Sequence, residues 1–172
     1  MFICKPSGLT IIELIISLCI LSILALLAIP TLQDIFHRAE AKYVQQTFSS
    51  AIQLGKIKAI TQRQYIVICA SADLSHCQNN QWNKGIIMFA DLNKNRVLDQ
   101  DEQIIWSQHT QLKYGHLTWA SFGTPHLITF SERNGLPIDS NGSLTYCSHT
   151  HHHFKWVLSK MGHTRVESIT NC

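Results

Sequence analysis

An apolar run with almost no interruption spans Leu9 to Ile29, broken by a single carboxylate, Glu13, near its start. As a helix rising about 1.5 Å per residue, the run is about 31 Å long, enough to cross a hydrocarbon core. After Pro30 the pattern changes. From Thr31 to about Arg63, Phe36, Ala39, Tyr43, Val44, Phe48, Ala51, Ile52, Ala59 and Ile60 recur at steps of three and four. Asp34, Arg38, Glu40, Lys42, Gln45, Lys56 and Lys58 fall mostly between them. That spacing predicts an amphipathic helix. The two stretches read as one long helix, kinked near Pro30, whose second half lies on a globular domain. Gly55 is a weak point within it.

From Tyr65 the pattern turns to short β-type runs. They are Tyr65–Ala70, Gly85–Ala90, Gln103–Ser107, Leu117–Ser121, Leu127–Ser131, Ser143–Cys147, Lys155–Ser159 and Arg165–Thr170. Turn residues punctuate them at Asn79-Asn80, Asn93–Asn95, Gly123–Pro125, Asn134-Gly135 and Asn141-Gly142. One helix followed by several short strands predicts an α+β domain with antiparallel sheets against the helix. The boundaries fall at residues 1–8, 9–29, 30–63 and 64–172: a leader, a transmembrane helix, its amphipathic continuation and a β-rich globular domain.

Charge changes this picture little. Lys5 and Glu13 cancel, so the net +3 of the chain belongs to the residues after Pro30. That is short of the concentrated positive field of a typical nucleic-acid domain. The cysteines say more. Cys4 is in the leader and Cys19 in the apolar run, leaving Cys69, Cys77, Cys147 and Cys172 in the domain beyond the membrane, where disulfides form. Four cysteines allow three pairings. The expected pairs are Cys69–Cys77, closing a local hairpin, and Cys147–Cys172, pinning a segment that would otherwise fray. Chain-entropy estimates assign them about 2.6 and about 3.5 kcal/mol. No C-x-x-C pair supports a zinc site.

Glu13 needs a reason, since a lone carboxylate in such a run costs roughly 2.5–3.5 kcal/mol on insertion scales. An ordinary secretory signal would have an apolar core of about 7–15 residues and a small-residue cleavage site; this run is longer and continues into Pro30-Thr31-Leu32. In a plain anchor the carboxylate would be incidental. The order Lys5, Gly8, Leu9, Thr10, Ile11, Ile12, Glu13 and then an apolar helix resembles type IV prepilins and the pseudopilins of type II secretion. Leu9 departs from the usual Phe. The resemblance implies cleavage after Gly8 by a prepilin peptidase, N-methylation of Leu9, and pairing of Glu13 with the new amine of a neighbouring subunit, which offsets the cost of burying it.

A second resemblance lies in the strands. Trp82, Gly85-Ile86-Ile87-Met88-Phe89-Ala90-Asp91, a polar loop, and Asp101-Glu102-Gln103-Ile104-Ile105 look like the GspH/FimT branch of minor pilins and pseudopilins. The run Phe154–Cys172 also fits that branch. The implied protein has the pilin fold and sits in the bacterial inner membrane with its C-terminal domain in the periplasm. It becomes extracellular when incorporated in a pilus. Its partners would be other pilin subunits, the peptidase and the membrane. A minor pseudopilin of type II secretion is the alternative.

Three further motifs carry candidate chemistry. Near the C-terminus, Gly162-His163-Thr164-Arg165 is similar to the G-R-x-R motif with which FimT-type pilins contact DNA phosphates. His163 replaces the first Arg, and Lys155 and Lys160 add charge nearby; double-stranded DNA is the implied ligand. Asp91, Asn93, Asn95, Val97, Asp99 and Glu102 occupy the six ligand positions of a calcium loop, yet Arg96 stands where Gly makes the sharp turn and the flanks read as strands, so a structural hairpin is the expectation. His149, His151, His152 and His153 form a dense run that gains charge below about pH 6.5 and reads as a solvated loop. No Ser/His/Asp or Cys/His arrangement and no phosphate loop is present, so neither enzymatic activity nor a cofactor is expected.

Overall fold

The computed structural model describes residues 10–123 and 126–172. It opens on a single long helix, α1, Ile11–Gln62. Eight strands follow: β1 Tyr65–Ala70, β2 Gly85–Asp91, β3 Ile104–His109, β4 Gly115–Ser121, β5 Leu127–Phe130, β6 Gly142–Ser148, β7 Phe154–Leu158 and β8 Thr164–Ser168. The chain divides into two compact units after Phe36.

The first unit is the apolar part of α1. Its start is a capping box, in which a Thr and a Glu three residues on satisfy each other's backbone amides. Glu13 Oε2 accepts from the Thr10 amide and hydroxyl, each at 2.8 Å, and the Glu13 amide donates to Thr10 Oγ1 at 3.4 Å. The hydroxyls of Ser17, Ser22 and Thr31 donate to the carbonyls of Leu14, Leu18 and Ala28, so none needs water as a partner. The mean hydropathy reaches 2.8 over an 18-residue window, long and apolar enough to cross a membrane.

The second unit, His37–Cys172, is built on the remainder of α1 and two four-stranded antiparallel sheets. One sheet has the order β3-β2-β1-β5, the other β4-β6-β7-β8. The helix buries His37, Ala41, Val44, Phe48, Ala51, Ile52, Gly55 and Ala59, a stripe set mostly by steps of three and four. Tyr43 and Ile60, counted in the apolar face from their spacing, lie outside that stripe and are exposed, as are Phe36 and Ala39. The polar His37 and the half-buried Glu40 take positions on the packed side instead. Gly55 is no weak point: a Cβ there would come within 3.0 Å of the Phe130 ring, so its bare backbone lets β5 approach the helix. Arg63, at φ 53°, ends the helix in the left-handed conformation usual after a C-cap.

The sheets share one core with the helix. Ile66, Ile68, Ile86, Met88, Ile128 and Phe130 point inward from the first sheet, and Trp119, Leu144, Tyr146, Phe154, Trp156 and Leu158 from the second. The central strands β1 and β2 are buried on both faces, which explains their nearly unbroken apolar sequences. Their outer side chains, Val67, Cys69, Ile87 and Phe89, lie under Leu74, Cys77, Leu98 and Leu127. The disulfide Cys69–Cys77 holds part of that cover down, and Cys147–Cys172 ties the tail beyond β8 to β6; these are the expected pairs.

Glu40 locks the second sheet to the helix. Its carboxylate accepts from the amides of Lys113 at 2.6 Å and Tyr114 at 3.0 Å and from the Tyr146 hydroxyl at 2.8 Å. Burial, and then the bond to this carboxylate, hold the Tyr146 phenol well above its ordinary pKa. Glu40→Ala strands these donors and is expected to destabilise the second unit by about 2–4 kcal/mol, with a smaller loss for Glu40→Gln. All four tryptophans lie in this unit, so their fluorescence during urea unfolding of the full-length protein measures the effect.

Candidate functional site

At the N-terminus, Gly8 and Leu9, the expected cleavage and methylation positions, lie outside the described residues. Glu13 is described, and its surroundings add a role that spacing alone could have suggested: the T-x-x-E pattern of Thr10 and Glu13 is a capping signal as well as a pilin one. Two of its lone pairs serve Thr10. A carboxylate offers about four such sites, so acceptor capacity remains for a cation.

The C-terminal motif falls on the β7–β8 hairpin. Gly162, at φ 70°, makes the turn, with its amide bonded to the Ser159 carbonyl at 2.9 Å. Lys56 reaches from the helix to donate to the Gly162 carbonyl at 2.9 Å, a tether that the sequence pattern did not reveal. Lys160 and His163 are exposed at this turn. Arg165 and Lys155 belong to the paired strands, in register with Val157 and Glu167 respectively, and share one sheet face. Glu167 shares it too: the Arg165 Nε donates to Glu167 Oε1 at 2.6 Å, with both side chains substantially exposed. The hairpin therefore carries all four, but Lys155 sits at its open end opposite Glu167 while Lys160 and His163 sit at its turn, and an acidic residue lies between the two strand cations. An alternating strand reading places Arg165 and Glu167 on the same face, which is the signal that identifies this pair.

The acidic loop after β2 folds upon itself. Asp91, almost fully buried, accepts from the amides of Asn95 at 3.2 Å and Arg96 at 2.8 Å. Asp99 Oδ2 takes the side-chain amides of Asn93 and Asn95 at 2.8 and 2.7 Å. Glu102 receives the amides of Leu92 at 2.7 Å and Asp99 at 3.2 Å. The six positions of the calcium pattern thus serve one another and the loop backbone. Among the described residues, no three His, Cys, Asp or Glu side chains are placed to hold a metal ion. Arg96 itself adopts the left-handed conformation, φ 63°, that the pattern reserves for Gly. Its amide bond to Asp91 and its guanidinium bond to Asp139 at 3.1 Å offset the roughly 1–2 kcal/mol this costs. Lys94 pairs with Glu132 at 2.9 Å and lies over the Tyr65 ring.

The histidine run is anchored in part. The Ser148 amide donates to His153 Nδ1 at 3.1 Å, and the His149 amide to the Tyr114 carbonyl at 2.8 Å. Behind it, the buried His37 shares a hydrogen bond of 3.1 Å with the Ser148 hydroxyl and its ring meets Tyr114 at 4.8 Å. In the β1–β2 connection, Asp73 caps a turn; the Ser75 amide, ahead of His76 and Ser71, holds its carboxyl well below the usual carboxylate range.

Residues 45–162 match the family described as the type II transport protein GspH. The match includes Gly162 and stops short of Arg165. No curated protein matches the chain significantly. Two solved structures of the Pseudomonas aeruginosa (strain PAO1) type IV minor pilin FimU are similar in fold. In one, 17% of residues are identical at a TM-score of 0.57, covering 76% of this chain and 90% of that one; in the other, 16% at 0.52, covering 76% and 91%.

If the acidic loop is complete by itself, calcium or a chelator leaves the melting temperature of the protein unchanged. Asp91→Ala is expected to lower stability by about 2–4 kcal/mol, because two backbone amides lose a buried acceptor. Calorimetry with and without calcium checks both statements; stabilisation by calcium would overturn the first.

Proposed function

The chain belongs to the family of the type II transport protein GspH, and from that membership we propose that it is a minor pilin, a subunit that assembles with others into a type IV pilus near the tip. One observation carries the reading: a helix apolar enough for a membrane, capped by Thr10 and Glu13, continues into a domain with the fold of a type IV minor pilin. The subunit waits in the inner membrane with its domain in the periplasm. A prepilin peptidase cuts after Gly8, and Leu9 becomes the methylated first residue. The part played is structural and needs no catalysis. Glu13 then has two tasks, closing the helix end through Thr10 and meeting the amine of a neighbour, so that subunits held together by apolar packing keep one register.

A second reading, a minor pseudopilin of a type II secretion system, draws on the description of the matched family itself. The two differ in where the assembled protein is found. A pilin appears in sheared surface filaments; a pseudopilin stays in the periplasm.

DNA capture would be an added role of the β7–β8 hairpin. Lys155, Lys160, His163 and Arg165 supply the charge, while Glu167 neutralises part of it. Binding of this kind weakens steeply with salt.

Two measurements test these roles. Gln keeps the capping geometry of Glu13 without its charge. Glu13→Ala and Glu13→Gln are both expected to leave cleavage intact and to remove the protein from filaments, read by immunoblot of sheared fractions; normal incorporation of the Gln variant would reduce Glu13 to a helix cap. For DNA, Arg165→Ala is expected to abolish salt-sensitive binding of the full-length protein to duplex DNA, and Glu167→Gln to strengthen it, with the salt slope changing by about one charge. No binding at any salt or pH leaves assembly alone as the function.

A further inference from the structure

Three of the four sheet edges are closed or interrupted. Residues 136–138 run beside β5, where the Ile138 amide donates to the Thr129 carbonyl and the Ser131 amide to the Leu136 carbonyl. Asn83 caps the Leu117 amide at the edge of β4. β3 pairs with a register shift between Met88 and Phe89, and its His109 carbonyl takes the Tyr43 hydroxyl. β8 is different. It is the outermost strand of its sheet and carries no proline, lysine or bulge, the common means of blunting an edge. The Ser159 amide donates to the His163 carbonyl. The alternation of an antiparallel pair then turns the backbone groups of Arg165 and Glu167 toward β7 and those of Thr164, Val166 and Ser168 outward. Among the described residues, no hydrogen bond engages those outward groups. We propose that β8 is a docking edge for an extended segment of a partner protein, which adds to this sheet as a fifth, antiparallel strand.

The flanks of the edge set the chemistry of that segment. On the helix side, a groove of 410 Å³ lies between α1 and β8, lined by Gln45, Gln46, Ser49, Ser50, Gln53 and Val166 among others. Among the described residues, no hydrogen bond engages the side-chain amides and hydroxyls of this set. Spacing by four puts Gln45, Ser49 and Gln53 in one row along the helix. The residue of the segment that lies opposite Val166 shares its side of the sheet, so an amide or hydroxyl side chain suits it. The other face carries Arg165 and Glu167. They hold each other through one guanidinium nitrogen and one carboxylate oxygen, which leaves further donors and a second oxygen for a neighbour. An antiparallel entrant sets one residue opposite each, at the closer of the two cross-strand spacings, Cα atoms about 4.5 Å apart. Charge complementarity asks for an acid opposite Arg165 and, two residues earlier, a base opposite Glu167. The occupant is therefore a segment that reads basic, polar, acidic.

β8 itself has a related order, Arg165-Val166-Glu167, so a second copy is the competing occupant. Antiparallel pairing of two copies reverses one domain against the other, whereas subunits of a common filament run the same way. The choice of a partner over a second copy rests on the filament reading given above. β8 begins two residues beyond the stretch that matches the GspH family, so the edge belongs to this chain and not to that match. Main-chain bonds supply the grip at such an edge, and side-chain matching supplies the selectivity.

The test uses the full-length protein in detergent micelles and a synthetic peptide, Ser-Thr-Lys-Gln-Glu-Thr-Ser. Solvent exchange of single backbone amides is followed by NMR. With the peptide at about ten times its dissociation constant, the amides of Thr164, Val166 and Ser168 are expected to exchange about ten-fold more slowly. Those of Arg165 and Glu167, directed at β7, should not change. The peptide with Lys and Glu interchanged should bind about five-fold more weakly, because both cross-strand pairs are then mismatched. Val166→Pro removes an outward N–H and no bond to β7, and is expected to abolish the response, while Val166→Ala keeps it. Ser168→Pro repeats the test at the strand end should Val166→Pro loosen the hairpin. Unchanged exchange up to millimolar peptide overturns the proposal, and so does equal slowing of all five amides. Equal binding of the two peptides overturns the assigned occupant. Slowing that grows with protein concentration and needs no peptide makes the occupant a second copy and overturns the choice of a partner. Absence of the protein from sheared filaments is a separate result, which overturns the filament reading and leaves the edge measurement standing.

Discussion

One stripe on one helix has to be covered from two directions. Ala41, Val44, Phe48, Ala51, Ile52 and Ala59 belong to one core with side chains from both sheets, and each sheet supplies part of the cover. Close approach is possible where the helix has little or no side chain, at Gly55 under Phe130. It is made polar and directional at Glu40, whose carboxylate collects two backbone amides and a phenol from the second sheet. Apolar contact brings the layers together without fixing their angle. The three bonds at Glu40 do fix it, because each donor has a set direction.

Much of this was legible beforehand, and the reason is local. β1 and β2 are continuous apolar runs because both of their faces are covered; β4 and β7 alternate because one face is not. All eight strands fall within a few residues of the stretches read from pattern and turn residues. What pattern could not supply was partnership. Period-two spacing is silent on which strand lies beside which, and β1 pairs with β5, some sixty residues on. Nor did it find the polar members of the buried stripe. His37 and Glu40 count as polar breaks in a search for apolar spacing, while Tyr43 and Ile60 count as core and are exposed. At Gly55 a propensity rule gave way to packing.

The candidate sites follow the same division. Where polar residues could serve one another they did. The loop from Asp91 to Glu102 has the composition of a cation site and spends its oxygens on its own amides and amide side chains. Arg165 has found Glu167. Charge of one sign is then left at the β7–β8 turn, where Lys160 and His163 are exposed. Such charge would answer to salt before it answers to shape.

The bond between Cys147 and Cys172 has a mechanical consequence. It encloses β7 and β8 in a covalent loop fastened to β6. A pull between α1 and Cys172 would be carried across the sulfurs from one cysteine to the other, bypassing the residues between them. The hairpin that bears Lys160, His163 and Arg165 is therefore slack under load.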